Sequence, residues 1–143
     1  MKTLLTSIIA VSTVGFADSL YLTLDHYLSL PLPCSISHGC DTVLHSAYSM
    51  VGPIPLGAFG VIYYLFVGFL ALYILTSPLV SKKYLLLLML SGVAGASMSV
   101  GFESLQFFVI HAMCQYCALS AACTFIIMGC ALSLRLTSEK GVV

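Results

Sequence analysis

Charge is what this chain most conspicuously lacks. Five basic and five acidic side chains are all it has among 143 residues, 7 % of the total, against roughly 25 % in soluble proteins. Hydrophobic residues make up 60 %. A soluble fold so composed could not cover its own surface, so lipid must be the solvent for much of the molecule. The net charge is zero, which excludes the basic surface that a nucleic-acid partner requires. Internal repeats, low-complexity tracts and glycine-rich flavin or nicotinamide fingerprints are also missing. What is present is long apolar runs and six cysteines.

A membrane-spanning helix needs roughly 20 mostly apolar residues at about 1.5 Å each. Four stretches meet that length: 4–24, with Asp18 as its charged group; 57–76, uncharged; 84–110, charged only at Glu103; and 112–134, uncharged. They predict an all-α membrane protein, a single four-helix transmembrane domain over 1–143, with one long connection at about 25–56. In the third span Ser91, Gly95 and Ser99 recur every four residues beside Gly92 and Ala96, a spacing that lets helix backbones approach closely. Tyr63, Tyr64 and Tyr73 in the second span read as packing residues.

Lys2, Lys82, Lys83, Arg135 and Lys140 all fall on one side of this four-span arrangement. Basic residues resist translocation, so that side is expected to be the cytoplasm, with both termini there and the long loop outside. A competing account makes the first span a secretory signal, with Gly15-Phe16-Ala17 as its small-x-small cleavage site. Leu20, Tyr21, Leu22 and Leu24 argue against it by carrying the apolar run to spanning length.

Four cysteines then lie outside: Cys34 and Cys40 in the long loop, and Cys114 and Cys117 as Cys-Gln-Tyr-Cys at the start of the last helix. Cys123 and Cys130 project about 160° away from that pair at 100° per residue and read as small buried hydrophobes. An exterior compartment permits disulfides, and structural staples are one explanation. A C-x-x-C pair at a helix start fits redox chemistry better. Its ring constrains little of the unfolded chain, one thiol can attack while the other resolves, and the helix N-terminus favours a thiolate. Cys117 lies one turn deeper than Cys114, about 4.5 Å along the axis. The implied relay runs from a dithiol partner to Cys34, from Cys40 to Cys114, and from Cys117 to a lipid-soluble acceptor. A quinone (ubiquinone or menaquinone) suits that last place, because it takes two electrons and partitions into membranes.

Cys34-x5-Cys40-Asp41, Ser46, Ile54-Pro55-Leu56-Gly57-Ala58-Phe59-Gly60 and Cys114-Gln115-Tyr116-Cys117, with Ser19-Leu20-Tyr21-Leu22 and His26-Tyr27 before them, resemble the vitamin K epoxide reductase family in its bacterial branch, over essentially the whole chain. The resemblance implies a four-helix bundle around a quinone, with Cys34 and Cys40 as shuttle and Cys114 and Cys117 as active site. Cys117 corresponds to the cysteine that contacts the quinone, and Ser46 to a serine near it. It also implies a quinone-dependent oxidase in the bacterial inner membrane, reoxidising a DsbA-like thioredoxin-fold protein. The chain ends shortly after Arg135, which leaves that partner as a separate protein. Animal members carry a tyrosine where Ala121 stands and an asparagine where Leu56 stands. Both differences favour disulfide formation over the alternative of vitamin K epoxide reduction.

Other residues carry open alternatives. Asp41–Met50 is expected to form a short amphipathic helix capped by Asp41, with Val43, Leu44 and Ala47 on the membrane surface. Ser46 would bond a quinone oxygen or local backbone. His38 and His45 read as solvated, and His111 as a group beside Cys114 that would favour its thiolate when protonated. Glu103 and Asp18 are intramembrane ionisable groups and so candidates for function, Glu103 as a proton donor to reduced quinone. A non-enzymatic protein with structural disulfides, or a zinc site of Cys34, Cys40, Cys114 and Cys117, is the contrasting reading. The x5 spacing and an oxidising exterior weigh against zinc.

Overall fold

The structure is a computed structural model that describes residues 1–28, 39–77 and 81–139. Cys34, His38 and Lys140 lie outside the described residues. Four helices are long and apolar enough to cross a membrane: α1 (Lys2–Leu28), α3 (Leu56–Thr76), α4 (Lys82–Leu105) and α5 (Gln115–Glu139). The protein is a multi-pass membrane bundle. Phe69, Met98 and Phe108 stand 67, 70 and 71 % exposed, which water would not tolerate in such numbers but lipid does.

Helices α1, α4 and α5 run past their expected spans at the ends carrying Lys2, Lys82 and Arg135, good helix formers, whereas α5 begins at Gln115 rather than the expected 112. The amino-terminal part of α1 packs with the ends of α3 and α5 and the start of α4. Leu5, Ile74, Leu85, Leu88 and Leu134 share one buried cluster there, so successive spans run antiparallel. Lipid tails are as apolar as leucine, so close approach must hold the helices together. Gly92 provides it between α4 and α5: a Cβ there would sit 3.0 Å from the Met128 Cα. Ser99 and Thr124 hydroxyls bond at 2.9 Å across the same pair. Gly15, the small residue of the cleavage-like motif, lies against the Tyr64 ring, which gives it a packing reason.

The loop departs from expectation in two places. Asp41–Met50 is not one helix: α2 is only Cys40–Leu44, followed by a 3₁₀ turn at Ala47–Ser49. Asp41 does not cap it; Gly39 stands at the N-cap position with no side-chain bond. Val43 is fully buried against Cys40 and Cys114 rather than lying on a membrane surface. The helix stops because Ser46 turns its hydroxyl back onto the Val43 carbonyl at 2.7 Å, offering the backbone another partner. A small hairpin follows, β1 (Met50–Val51) against β2 (Ile54–Pro55), antiparallel. Gly52 takes φ +64 in its turn, a conformation that costs a side chain but not glycine.

Candidate active site

The carboxyl end of α4 does not finish as an α-helix. Gln106–Ile110 widens into a π turn, and His111 then adopts a left-handed conformation at φ 54. Such one-turn π segments recur at functional sites. Their effect here is to reverse the chain within four residues and present Cys114 immediately before α5. Helix α5 starts at Gln115, so Cys114 sits where unpaired amides gather. The Cys117 thiol donates to the Cys114 sulfur, and the amides of Cys117 and Tyr116 reach it too. Together these hold the Cys114 thiol below its ordinary range, against the opposing effect of burial. His111 is exposed and takes no part in that arrangement.

Cys114 is 1 % exposed and Cys40 is fully buried. With Val43 they form one cluster, packed by Phe102, Ile110 and Tyr116. Cys40 is disulfide-bonded, whereas Cys114 and Cys117 are free thiols. The approach of the two segments depends on Gly39. A Cβ at that position would lie 2.8 Å from the Met113 carbonyl and 3.0 Å from its nitrogen.

On the other face of α5 lies a cavity of about 590 Å³, within the range of sites that enclose small organic molecules. Cys117 lines it; Cys114 does not. Cys117 therefore joins the two places: it packs against the cluster of Cys40, Val43 and Cys114, bonds the Cys114 sulfur and lines the cavity. Glu103 and Ser120 stand near the level of Cys117, while Tyr63 and Thr124 line the deeper part. The Tyr64 hydroxyl bonds the Ser120 carbonyl and hydroxyl, both at 2.8 Å. Buried beside it, the Tyr63 hydroxyl has no hydrogen-bond partner among the described residues. Glu103 accepts from the Gln106 amide at 3.4 Å.

Ser46 is not among the residues lining the cavity; its hydroxyl is spent on Val43, the local-backbone alternative of the two. Ser49 lines the cavity instead, though its hydroxyl donates to the Leu44 and Ser46 carbonyls at 2.6 and 2.8 Å. Cys123 is buried in the apolar core and Cys130 packs against it, and neither reaches the cavity. Asp18 is 7 % exposed on α1, outside the cavity lining.

With that geometry in view, the family comparison becomes specific. Residues 6–132 match the vitamin K epoxide reductase family. The chain belongs to the vitamin K epoxide reductase family. No curated protein matches it individually. Members of this family are oxidoreductases, and the present member meets the family match with all four spanning helices. Leu56 and Ala121, the positions where animal members carry asparagine and tyrosine, both line the cavity.

Sequence reasoning passed over three residues that the structure brings forward. Gln106 was hidden in a span judged only by its charges, yet a fully buried amide in lipid is itself a signal. Tyr63 was read as packing, although its hydroxyl demands a partner when buried. Gly39 had no local signature, since its need arises from a segment 74 positions away in the chain.

Proposed function

We propose that this protein is a quinone-dependent thiol oxidoreductase that makes disulfides for a thioredoxin-fold partner outside the bacterial cytoplasmic membrane. One observation carries the reading: Cys114 is buried with the disulfide-bonded Cys40, while Cys117, bonded to the Cys114 sulfur, lines the cavity, so a sulfur route leads from the loop to the cavity. In the forward direction a partner dithiol reduces the loop pair Cys34–Cys40. The Cys40 thiolate attacks Cys114, the Cys114–Cys117 bond breaks, and Cys117 leaves as a thiolate. Cys34 then attacks Cys40 and expels Cys114. A lowered thiol pKa speeds departure, which gives the hydrogen bonds around Cys114 a purpose. The loop is again oxidised and the inner pair reduced; in this structure Cys40 is disulfide-bonded and Cys114 and Cys117 are thiols.

A quinone fits the cavity by its size and apolar lining, and the unpartnered Tyr63 hydroxyl, packed against Gly95, would turn to donate to a carbonyl oxygen. Bound there, it would accept the two electrons and two protons of the inner dithiol. Cys117 would face it, Tyr63 would orient it, and the apolar lining would exclude water. The orientation, with the loop outside, rests on the side carrying Lys2, Lys82, Lys83 and Arg135.

The test is purified protein in nanodiscs with dithiothreitol and a short-chain quinone. Quinone reduction is expected from the native protein and none from Cys117→Ser. In that variant without dithiothreitol, Cys114 should attack Cys40 of the oxidised loop and expel Cys34, so that a Cys40–Cys114 mixed disulfide accumulates. No quinone reduction by native protein would end the proposal, and epoxide reduction without quinone reduction would replace it with the vitamin-recycling alternative.

A further inference from the structure

One buried side chain gathers the whole turn that presents Cys114. Gln106 is 0 % exposed. Its side-chain carbonyl accepts the Cys114 amide at 2.8 Å, and its side-chain amide donates to Glu103 in the cavity wall at 3.4 Å. Its backbone carbonyl accepts the Ala112 amide at 3.2 Å, and the His111 amide closes the π turn on the same oxygen. Every one of these partners lies either in the reversal His111–Cys114 or in the wall of the cavity. The opposite side of the reversal is pressed by Gly39, whose added Cβ would meet Met113 and Ala112. The turn is held from below by Gln106 and from above by the loop that carries Cys40.

We propose that Gln106 is the positioning residue of the sulfur relay: it holds the Cys114 amide so that the sulfur stays between Cys40 and Cys117. The inference rests on the relay proposed above. A Cys114 amide is otherwise one of the unpaired donors at a helix start, buried where no water reaches it. With the amide fixed, the Cys114 side chain keeps the amides of Tyr116 and Cys117 within reach of its sulfur. Released, the turn relaxes from its left-handed residue, and both transfers suffer: in from Cys40 and on to Cys117. Because Gln106 does not line the cavity, the effect falls on the sulfur chemistry and leaves quinone binding alone.

Two substitutions separate positioning from bulk structure. Gln106→Met keeps the volume and removes the acceptor. Gln106→Glu keeps the acceptor, because a carboxyl so deeply buried stays protonated and offers a carbonyl to Cys114 and a hydroxyl to Glu103. For Gln106→Met, kcat with dithiol and quinone should fall about tenfold at unchanged quinone KM. The pH midpoint of Cys114 alkylation in the reduced protein should move up. Gln106→Glu should recover kcat to within about threefold. In native protein, hydrogen exchange should find the Cys114 amide protected at least tenfold over that of Met113. Fast exchange at Cys114, a native kcat in Gln106→Met, a quinone KM rising in step with the lost kcat, or no recovery in Gln106→Glu would each overturn the inference. Should Gln106→Met not fold, the native exchange and the Gln106→Glu kinetics decide it. Exchange and alkylation require no turnover, so a native protein inert toward quinone would sink the proposed function and leave Gln106 to be judged separately.

Discussion

Cys114 and Cys117 are three positions apart and differ in what they face, and that difference makes them separable by experiment. Replacement of either by serine should abolish quinone reduction with every thiol donor, read as quinone absorbance. Cys40→Ser should block a protein donor yet spare a small dithiol, which reaches the inner pair directly. The hydrogen bonds to the Cys114 sulfur favour its thiolate, so the pH midpoint of Cys114 alkylation should fall below the ordinary value of about 8.5. The sign follows from the direction of the shift: the thiolate is kept to a lower pH than an ordinary thiol's and is lost as pH drops through the lowered value. A midpoint at or above that ordinary value would contradict it. Tyr63→Phe deletes one hydroxyl and keeps the ring. Loss of a typical hydrogen bond, about 1 kcal/mol, predicts a quinone KM raised roughly fivefold with the alkylation profile of Cys114 unchanged.

At the scale of elements, the site is made by two interruptions of regular structure. The π turn at the end of α4 and the early stop of α2 bring Gly39–Cys40 onto the reversal before α5. Gly39→Ala would drive a methyl into the Met113 backbone. Backbone cannot yield as a flexible side chain does, so the loop should move outward, and transfer between Cys40 and Cys114 should slow by at least tenfold. Trapping of the mixed disulfide in a Cys117→Ser background measures that step, and unaltered trapping would show that the contact is not needed. Helix pairing offers a second case. Gly92→Val forces α4 off α5 at Met128; overpacking of this kind costs about 1–3 kcal/mol, visible as a lower thermal midpoint in detergent.

For the molecule as a whole, the arrangement divides one membrane domain into a sealed half and an open half. Leu5, Ile74, Leu85 and Leu134 pack the end carrying the lysines, whereas the other half holds the cavity and Cys40, Cys114 and Cys117. In the proposed orientation, such a division would let electrons be exchanged outside while the cytoplasmic side stays sealed. Membrane-impermeant maleimide on spheroplasts should label a cysteine placed at Val51, in the hairpin, and not one placed at Ser138. Labelling reversed between the two sites would invert the proposed topology.

The amino-acid sequence alone determined the four spans, because lipid imposes a length and an apolarity that composition reveals directly. It also isolated Cys114 and Cys117 as the pair at a helix start, and set Cys123 and Cys130 aside by helical periodicity. Tertiary structure decided the rest. Whether Ser46 faces a ligand or its own backbone depends on where a five-residue helix ends. The partners of Gln106 and Gly39 belong to another segment or to a π turn with no local code, and the unpartnered hydroxyl of Tyr63 exists only once its neighbours have closed around it. Spacing and solubility are properties of a single segment, whereas contact and hydrogen-bond satisfaction belong to the segments that meet.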